Sequence, residues 1–551
     1  MCGIWSLINF NNEFGDLSLF FSDFMRLKNR GPDNTKLEII DNHTMIGFHR
    51  LAIMDLSADS NQPYVFESDN RKVYFVCNGE IYNYKELIEQ FDLHIYSNQD
   101  CLVIPELYFH FDDIQDWIDL FGLDIKGEFS FILIEYEDNK LKHVISGRDQ
   151  IGIRPLYYGI NENTILFTSE IKGGIHFDGQ LQEFKPGNIR IYKQDDEQEL
   201  VYQEHSFRWV YKVKEDENAT DEQNLYIIKN SVIDSVKRRL DSDRPMAFLL
   251  SGGVDSSLVA SIASREFSEP IHTFCCGMQG ATDFEYAKKV SEHIGSIHTE
   301  VYFTEEEGLE AIRNVIYATE TWDTTTIRAS VGQYMVSKYI SENTDFKVVL
   351  VGEGPDEVCS SYLFNWYAPS GEDLDRCARE YVKNIHYYDV KRSDRCIAHW
   401  GLEGRVPLLD PKFISAYWAI SSEKRHPKYN NIEKYWLRQA FMDGDYLPIE
   451  VLWRTKEAFS DGVSSKTRSW YQIIQDWCSE HVMDSEMKEN EIEYYKPITK
   501  EAYYFRKVFR EHFGDNRDNI IPKYWLPKWD SSGNEIIGYI DPSARILNLY
   551  S

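Results

Sequence analysis

The sequence predicts a two-domain α/β protein: two face-to-face sheets in the N-terminal part, then a doubly wound parallel sheet with a helical extension. Three observations carry this. The chain has 551 residues, too many for one hydrophobic core. Up to about residue 205 it reads as short strands broken by glycine-containing turns. Beyond an acidic stretch the rhythm becomes strand, helix, strand, the signature of a parallel sheet.

Taken in order, Val73 to Cys77, Phe129 to Glu135, His143 to Ser146 and Ile165 to Thr168 are rich in β-branched and aromatic residues and predict strands. Gln194 to Gln223 is acidic and poor in aliphatics, which predicts a linker. Met246 to Leu250, Ile271 to Cys276, Ile297 to Phe303 and Phe346 to Val351 are the strands of the second sheet. Ser256 to Ala263 and Phe284 to His293 are helical between them. Thr304 with Glu307 forms a capping box, and Leu309, Ile312, Val315 and Ile316 then recur at helical spacing. The remainder to about Trp529 is helix-rich and aromatic. The expected division is residues 2–205, residues 206–535 and a C-terminal tail, residues 536–551.

The composition sets limits. A formal net charge of -31 disfavours nonspecific binding to nucleic acid or to an anionic membrane. The sequence lacks an apolar run of about 18 residues, so no membrane span is expected. It also lacks a basic-then-apolar leader, so no signal peptide is expected. Nine cysteines without CxxC spacing predict reduced thiols and a cytoplasmic setting, with neither a zinc site nor a disulfide framework.

Chemistry is concentrated in a few motifs. Removal of Met1 leaves Cys2 with its own free α-amine, whose unperturbed pKa of about 7.7–8.0 lets it take the thiol proton. Ser251-Gly252-Gly253-Val254-Asp255-Ser256-Ser257 follows a strand and offers backbone N–H groups and a helix N-terminus to phosphate. It is no P-loop, because no Gly-Lys-Ser/Thr follows. Gly352-Glu353-Gly354-Pro355-Asp356-Glu357 ends a second strand, so Asp255 and Asp356 are expected to hold Mg²⁺ against pyrophosphate. Lys456 supplies positive charge for the phosphates. In the first half, Arg50 suits a carboxylate, Asn78-Gly79-Glu80 offers an amide and a backbone N–H for an oxyanion hole, and Asp100 suits a substrate ammonium. Each of these, taken singly, also fits an ordinary turn or surface pair.

Together they are similar to the glutamine-hydrolysing asparagine synthetases, along nearly the whole chain. Cys2-Gly3-Ile4, Arg30-Gly31-Pro32-Asp33, Asn78 to Asn83 and Gly147-Arg148-Asp149 resemble class II glutamine amidotransferases, N-terminal-nucleophile hydrolases of the αββα sandwich type. The SGGVDSS segment resembles the pyrophosphate loop of ATP pyrophosphatases. Glu320 to Ser330, Gly401 to Pro407, Lys456 to Gly462 and Asp541 to Arg545 resemble synthetase segments, the last of the eukaryotic type.

The resemblance implies that Cys2 attacks glutamine, that Asn78 and Gly79 stabilise the oxyanion, and that Arg50, Leu51, Ala52, Ile53, Met54, Glu80 and Asp100 bind the substrate. It implies that ATP adenylates the aspartate side chain and that ammonia arriving through an apolar tunnel displaces AMP. Glu320 is implied as general base, Glu353 as the residue of adenylate formation, and Leu250, Ser251, Gly252, Gly253, Asp255, Ser256, Cys276, Val351 and Gly352 as the ATP site. A homodimer is implied as well. Val351 and Pro355 stand where the family usually has serine, and Ser360-Ser361 replaces a segment that usually contains glycine. Pro355 is expected to remove a phosphate-facing donor and to push Gly354 towards extended geometry. A β-lactam synthetase-like reaction and a non-catalytic glutamine or ATP sensor are the alternatives; the intact Cys2 site argues against the first, and the retained Cys2, Asp255, Glu320 and Lys456 against the second.

Overall fold

The computed structural model describes residues 1–10, 17–95, 97–197, 199–457, 462–465 and 467–542. Two expected features fall partly outside them: Ala458, Phe459, Ser460 and Asp461 of the lysine motif, and the tail from Ser543 onward. The chain forms two compact units. Unit 1 comprises Met1–Trp209 with two short pieces, Asp241–Arg244 and Ala398–Glu403; unit 2 comprises Val210–Leu240, Pro245–Ile397 and the chain from Gly404.

Unit 1 is built on two six-stranded sheets whose neighbouring strands all run antiparallel. Gly3–Asn9 lies inside the first, between Thr164–Thr168 and Thr44–Arg50. Arg71–Ile81 lies inside the second, between Tyr64–Ser68 and Gly127–Glu137. Period-two alternation explains the layering. Ile4, Ile8, Ile46 and Phe167 of one sheet pack against Val76, Ile132, Ile134 and Val144 of the other in one buried cluster. The alternate residues face helices: Phe131 meets Trp117 and Phe121 of Ile114–Leu123, and His49 stacks on Phe24 of Ser18–Met25. The result is the expected αββα order.

The stretch expected as a linker is partly regular. Leu200–Ser206 is the edge strand of the second sheet, paired residue by residue with Asn188–Gln194. Its outward face is polar, as an edge strand requires, and that polarity is what imitates a linker.

In unit 2, Ile297–Tyr302, His272–Gly277, Met246–Leu249 and Val348–Leu350 form a parallel array in that spatial order, followed by Glu403–Arg405. The direction of strand order reverses at Met246–Leu249, whose outer neighbours are the second strand and the fourth in sequence. Ligands of open α/β sheets bind at such a switch, beyond the carboxyl ends of the strands. The two glycine-rich motifs leave the sheet there. The predicted Thr304–Glu307 capping box is present and starts the helix Glu305–Thr319.

Candidate active sites

The first site is assembled where the Gly3–Asn9 strand begins. The Cys2 backbone N–H donates to Asn78 Oδ1 at 2.8 Å, and Arg30 Nε donates to the Cys2 carbonyl at 2.9 Å. Around the thiol, Leu51 N–H reaches Sγ at 3.4 Å and the Leu51 carbonyl lies 3.7 Å away. Burial pushes the Cys2 thiol up to about 11, although the neighbouring N-terminal ammonium and the Leu51 contact pull it down. At neutral pH only about one thiol in ten thousand is then ionised, so the nucleophile needs a base. With Met1 in place the chain's ammonium is itself buried, and that burial lowers its pKa.

Asn78 is fully buried, and its Nδ2 has no hydrogen-bond partner. An orphaned buried donor costs about 1–3 kcal/mol. It is retained here beside the thiol, where an oxyanion would accept from it. The adjacent Gly79 leaves no room for a side chain: a Cβ would come within 2.3 Å of the Glu128 carbonyl. Gly31 is confined similarly, since a Cβ there would lie 2.1 Å from the His49 carbonyl, and the preceding Arg30 reaches Cys2 and Glu170.

Other predicted residues have structural partners. Arg50 is buried and donates to the carbonyls of Met54, Asp55 and Ser57 and to Asn61, so it shapes the loop carrying Leu51, Ala52, Ile53 and Met54. Asp100 accepts from Ile81 N–H, and Cys101 Sγ contacts the Gly79 carbonyl, bracing the strand that presents Asn78, Gly79 and Glu80. The Gly147-Arg148-Asp149 motif is architectural. Asp149 accepts from the backbone of Ile151, Gly152, Ile153 and Arg154, while Arg148 donates to carbonyls of the same turn.

The second site is a cavity at the switch point of unit 2. Its wall includes Leu250, Ser251, Gly253, Asp255, Ser256, Cys276, Gly352, Glu353, Asp356 and Lys456 from the predicted set. Gly252, Val351 and Glu320 are not on this wall. Gly252 takes φ 71° and turns the loop, and Val351 donates to the Arg405 carbonyl. The two motif loops touch: a Cβ on Gly352 would lie 2.6 Å from Ser256 N, so glycine is required there.

Asp255 and Asp356 converge, and a residue the sequence reading missed holds them. Lys434 is buried and its ammonium bonds both, reaching Asp356 Oδ1 at 2.6 Å. Lys456 bonds Asp356 Oδ2 at 2.5 Å. Burial raises the Asp356 carboxyl, and the two lysines outweigh it, holding the group well below the usual range. For Asp255 burial dominates and the shift is upward, with Lys434 opposing it. Asp255 Oδ1 is buried without a partner. The described residues contain no cluster of three metal-ligating acids or histidines. Two carboxylates, one with an orphaned oxygen, nevertheless suit Mg²⁺, which binds through one or two carboxylates and completes its shell with phosphate and water.

Glu353 accepts from Gln333 Nε2 at 3.2 Å and Arg392 at 3.1 Å. Glu320 is fully buried, in left-handed backbone at φ 54° where it caps the helix Glu305–Thr319, with Arg395 Nε 3.7 Å from its carboxylate. Arg392 and Arg395 are three apart on the helix Asp389–Ala398, so one helix face serves both acids. Gln333, Arg392 and Arg395 were also missed, because isolated polar residues in helical stretches carry no pattern.

Two expectations about the second loop need correction. Pro355 is the first residue of the short helix Pro355–Val358, where an N–H has no intrahelical partner anyway, and it does not line the cavity. Gly354 is not extended: it takes φ 110°, ψ −35°. Ser360, in the segment that usually holds glycine, adopts φ 53°.

The comparisons with known proteins agree with both halves. A glutamine amidotransferase domain model matches residues 1–216, and an asparagine synthase model matches residues 228–376 and 366–532. Glutamine-hydrolyzing asparagine synthetases of Gallus gallus, Cricetulus griseus and Homo sapiens are each 38% identical to this chain, over 100% of it and 99% of their own length. The chain therefore belongs to the glutamine-hydrolysing asparagine synthetases.

Proposed function

We propose that this protein makes L-asparagine from L-aspartate and ATP, using ammonia released from L-glutamine. The observation that carries the reading is the pairing of two separate chemistries in one chain: a half-buried thiol beside an orphaned amide donor, and a lysine-bridged carboxylate pair at a sheet switch point. Glutaminase is assigned to residues 2–205 and the synthetase to residues 206–535.

In the first reaction Met1 is removed and the freed α-amine takes the Cys2 proton. The thiolate adds to the glutamine amide carbon, with Asn78 Nδ2 and Gly79 N–H receiving the negative oxygen. Ammonia leaves, and water hydrolyses the thioester to glutamate. Arg50 and Asp100 serve chiefly by shaping the pocket walls, which the substrate's carboxylate and ammonium meet together with Glu80 and residues 51–54.

In the second, the aspartate side-chain carboxylate displaces pyrophosphate from ATP, giving β-aspartyl-AMP. Leu250, Cys276 and Gly352 flank the nucleoside through backbone atoms, with Val351 supporting Gly352 from behind the wall, and Ser251, Gly253 and Ser256 receive the phosphates on the loop that Gly252 turns. Lys434 and Lys456 neutralise the developing pyrophosphate charge. Asp255 and Asp356 would hold Mg²⁺, which supplies charge neutralisation to the phosphates. Glu353 supports adenylate formation. Ammonia then displaces AMP, and Glu320 accepts the proton it loses.

We assign a cytoplasmic setting, supported by nine free cysteines, and a homodimer, which sedimentation equilibrium tests. The decisive assay incubates the protein with glutamine, aspartate and Mg-ATP. Asparagine, glutamate, AMP and pyrophosphate are expected in equal amounts; ADP and orthophosphate would overturn the adenylate route.

A further inference from the structure

The C-terminal segment grips the helix that follows Glu320. This helix, Thr324–Asn343, begins directly after the Glu320 to Asp323 turn and carries Gln333, the partner of Glu353. Tyr539 Oη lies 3.3 Å from Thr324 Oγ1, and Asp541 forms two hydrogen bonds of 3.1 Å with the Arg328 guanidinium. Thr324 and Arg328 are one turn apart on the same face, about 6 Å along the axis. Two residues of extended chain span about the same distance, so Tyr539 and Asp541 match the helix repeat.

The charge count makes Asp541 unusual. Arg328 already has a complete bidentate partner in Glu501, at 2.8 and 2.6 Å. Asp541 adds a second carboxylate in a site where Arg328 and Glu501 are buried and Asp541 is 17% exposed. Gln475 Nε2 donates to Asp541 Oδ2 at 2.5 Å. Neutralising Arg328 therefore does not require Asp541. Its contribution is to tie the chain end to the helix. The same junction is held from a second part of the segment: Trp525 N–H donates to Asp323 Oδ1 at 2.7 Å, and Thr325 donates to the Trp525 carbonyl. The Tyr539 ring packs on Tyr524, closing the strap.

We propose that residues 525–541 are a strap across the N-terminal turns of the helix Thr324–Asn343 and that Asp541 is a positioning residue, acting through Arg328 on the Glu320 turn and on Gln333. The proposal rests on the synthetase reading above. Asp541 touches no reacting group. It sets where the Glu320 carboxylate stands when ammonia attacks, and a small displacement there is costly.

The test compares wild type, Asp541→Asn, Asp541→Glu and Tyr539→Phe in the full-length enzyme. Ammonia-dependent asparagine formation is titrated with aspartate and with ATP, glutamate release from glutamine serves as the internal control, and amide hydrogen exchange is read over residues 320–331. Asp541→Asn is expected to lower kcat/KM for aspartate by about tenfold to a hundredfold, with glutaminase turnover unchanged and exchange at residues 320–331 faster. Asp541→Glu should restore most of the loss. Tyr539→Phe, which keeps the ring, should show a smaller defect of the same kind. An active wild type with Asp541→Asn unchanged in both aspartate dependence and exchange overturns the strap alone. Equal losses in Asp541→Asn and Asp541→Glu, with glutaminase falling alongside, mean a general structural role and also overturn it. A wild type that makes no asparagine from ammonia sinks the synthetase reading and this proposal together.

Discussion

The two sites handle charge in opposite ways. Around Cys2 the groups nearest the thiol are neutral, the backbone N–H and C=O of Leu51 and the Asn78 amide, while Arg30 meets the Cys2 carbonyl and pairs with Glu170. Around Asp255 and Asp356 the contacts are mainly ionic: two lysines hold one carboxylate, with the Ser361 hydroxyl as a neutral donor. The difference follows from the chemistry each supports. A thiol attack on an amide creates one oxyanion, which preorganised neutral donors can meet. Pyrophosphate departure moves several charges at once, and full countercharges are needed to meet them. The first site should therefore be sensitive to position and the second to charge.

The largest expected effect breaks the ionic site alone. Lys434→Met leaves two half-buried carboxylates with Lys456 alone to offset them, and ammonia-dependent synthesis should fall by about a thousandfold. Glutamate release from glutamine should stay within about twofold, since the lysine belongs to the other unit. A parallel loss of both activities in folded protein would erase the distinction between the sites.

Acid should act on unit 1 through His49. Burial depresses its pKa from 6.5 to about 4, although the Phe24 carbonyl opposes this. Neutral His49 serves one acceptor and one donor, Phe24 O at 3.0 Å and Thr35 Oγ1 at 2.9 Å. The folded state then binds fewer protons than the unfolded state. Stability is complete above pH 6.5 and is lost as pH falls towards 4, by about 3 kcal/mol in all. Urea titrations of the isolated transition at pH 7 and 4.5 measure this, and His49→Gln should flatten the profile. A wild-type midpoint that does not move would contradict the assignment.

Ser360 gives a smaller, stabilising effect. Its φ of 53° puts a Cβ in left-handed backbone, and its hydroxyl is buried without a partner. Ser360→Gly should raise stability by about 1 kcal/mol, read as a higher melting temperature. The smallest effect is at Pro355. Pro355→Ser is expected to leave the ATP KM within about twofold, because Pro355 is buried and does not line the cavity. A tenfold fall would restore the view that a phosphate donor is missing there.

Much of this was legible in the chain itself, for reasons that differ by element. The Thr304–Glu307 box was readable because both its partners lie within four residues. The SGGVDSS and GEGPDE loops were readable because glycine is required where backbones approach within a Cβ radius, as Gly352 does to Ser256. Lys434 was not readable: it reaches Asp255 across 179 positions, and nothing local separates it from a surface lysine. The edge strand Leu200–Ser206 was mistaken for linker because its outer face is polar. Arg50 was given the chemistry of its side chain, and the carbonyls its donors meet in the loop that follows are not specified by its residue type. Local motifs survive translation into sequence; partnerships made by topology do not.

The central claim, two separable active sites, is tested most directly by Cys2→Ala. The variant keeps the Asn78 amide, the Lys434 bridge and both folds, and loses only the nucleophile. Asparagine formation should be measured with glutamine and, in parallel, with ammonium chloride at saturating aspartate and Mg-ATP. The expected result is no detectable synthesis from glutamine and ammonia-dependent synthesis within about twofold of wild type, with one AMP and one pyrophosphate per asparagine. Loss of both activities in a folded Cys2→Ala protein, or retention of both, would contradict the account.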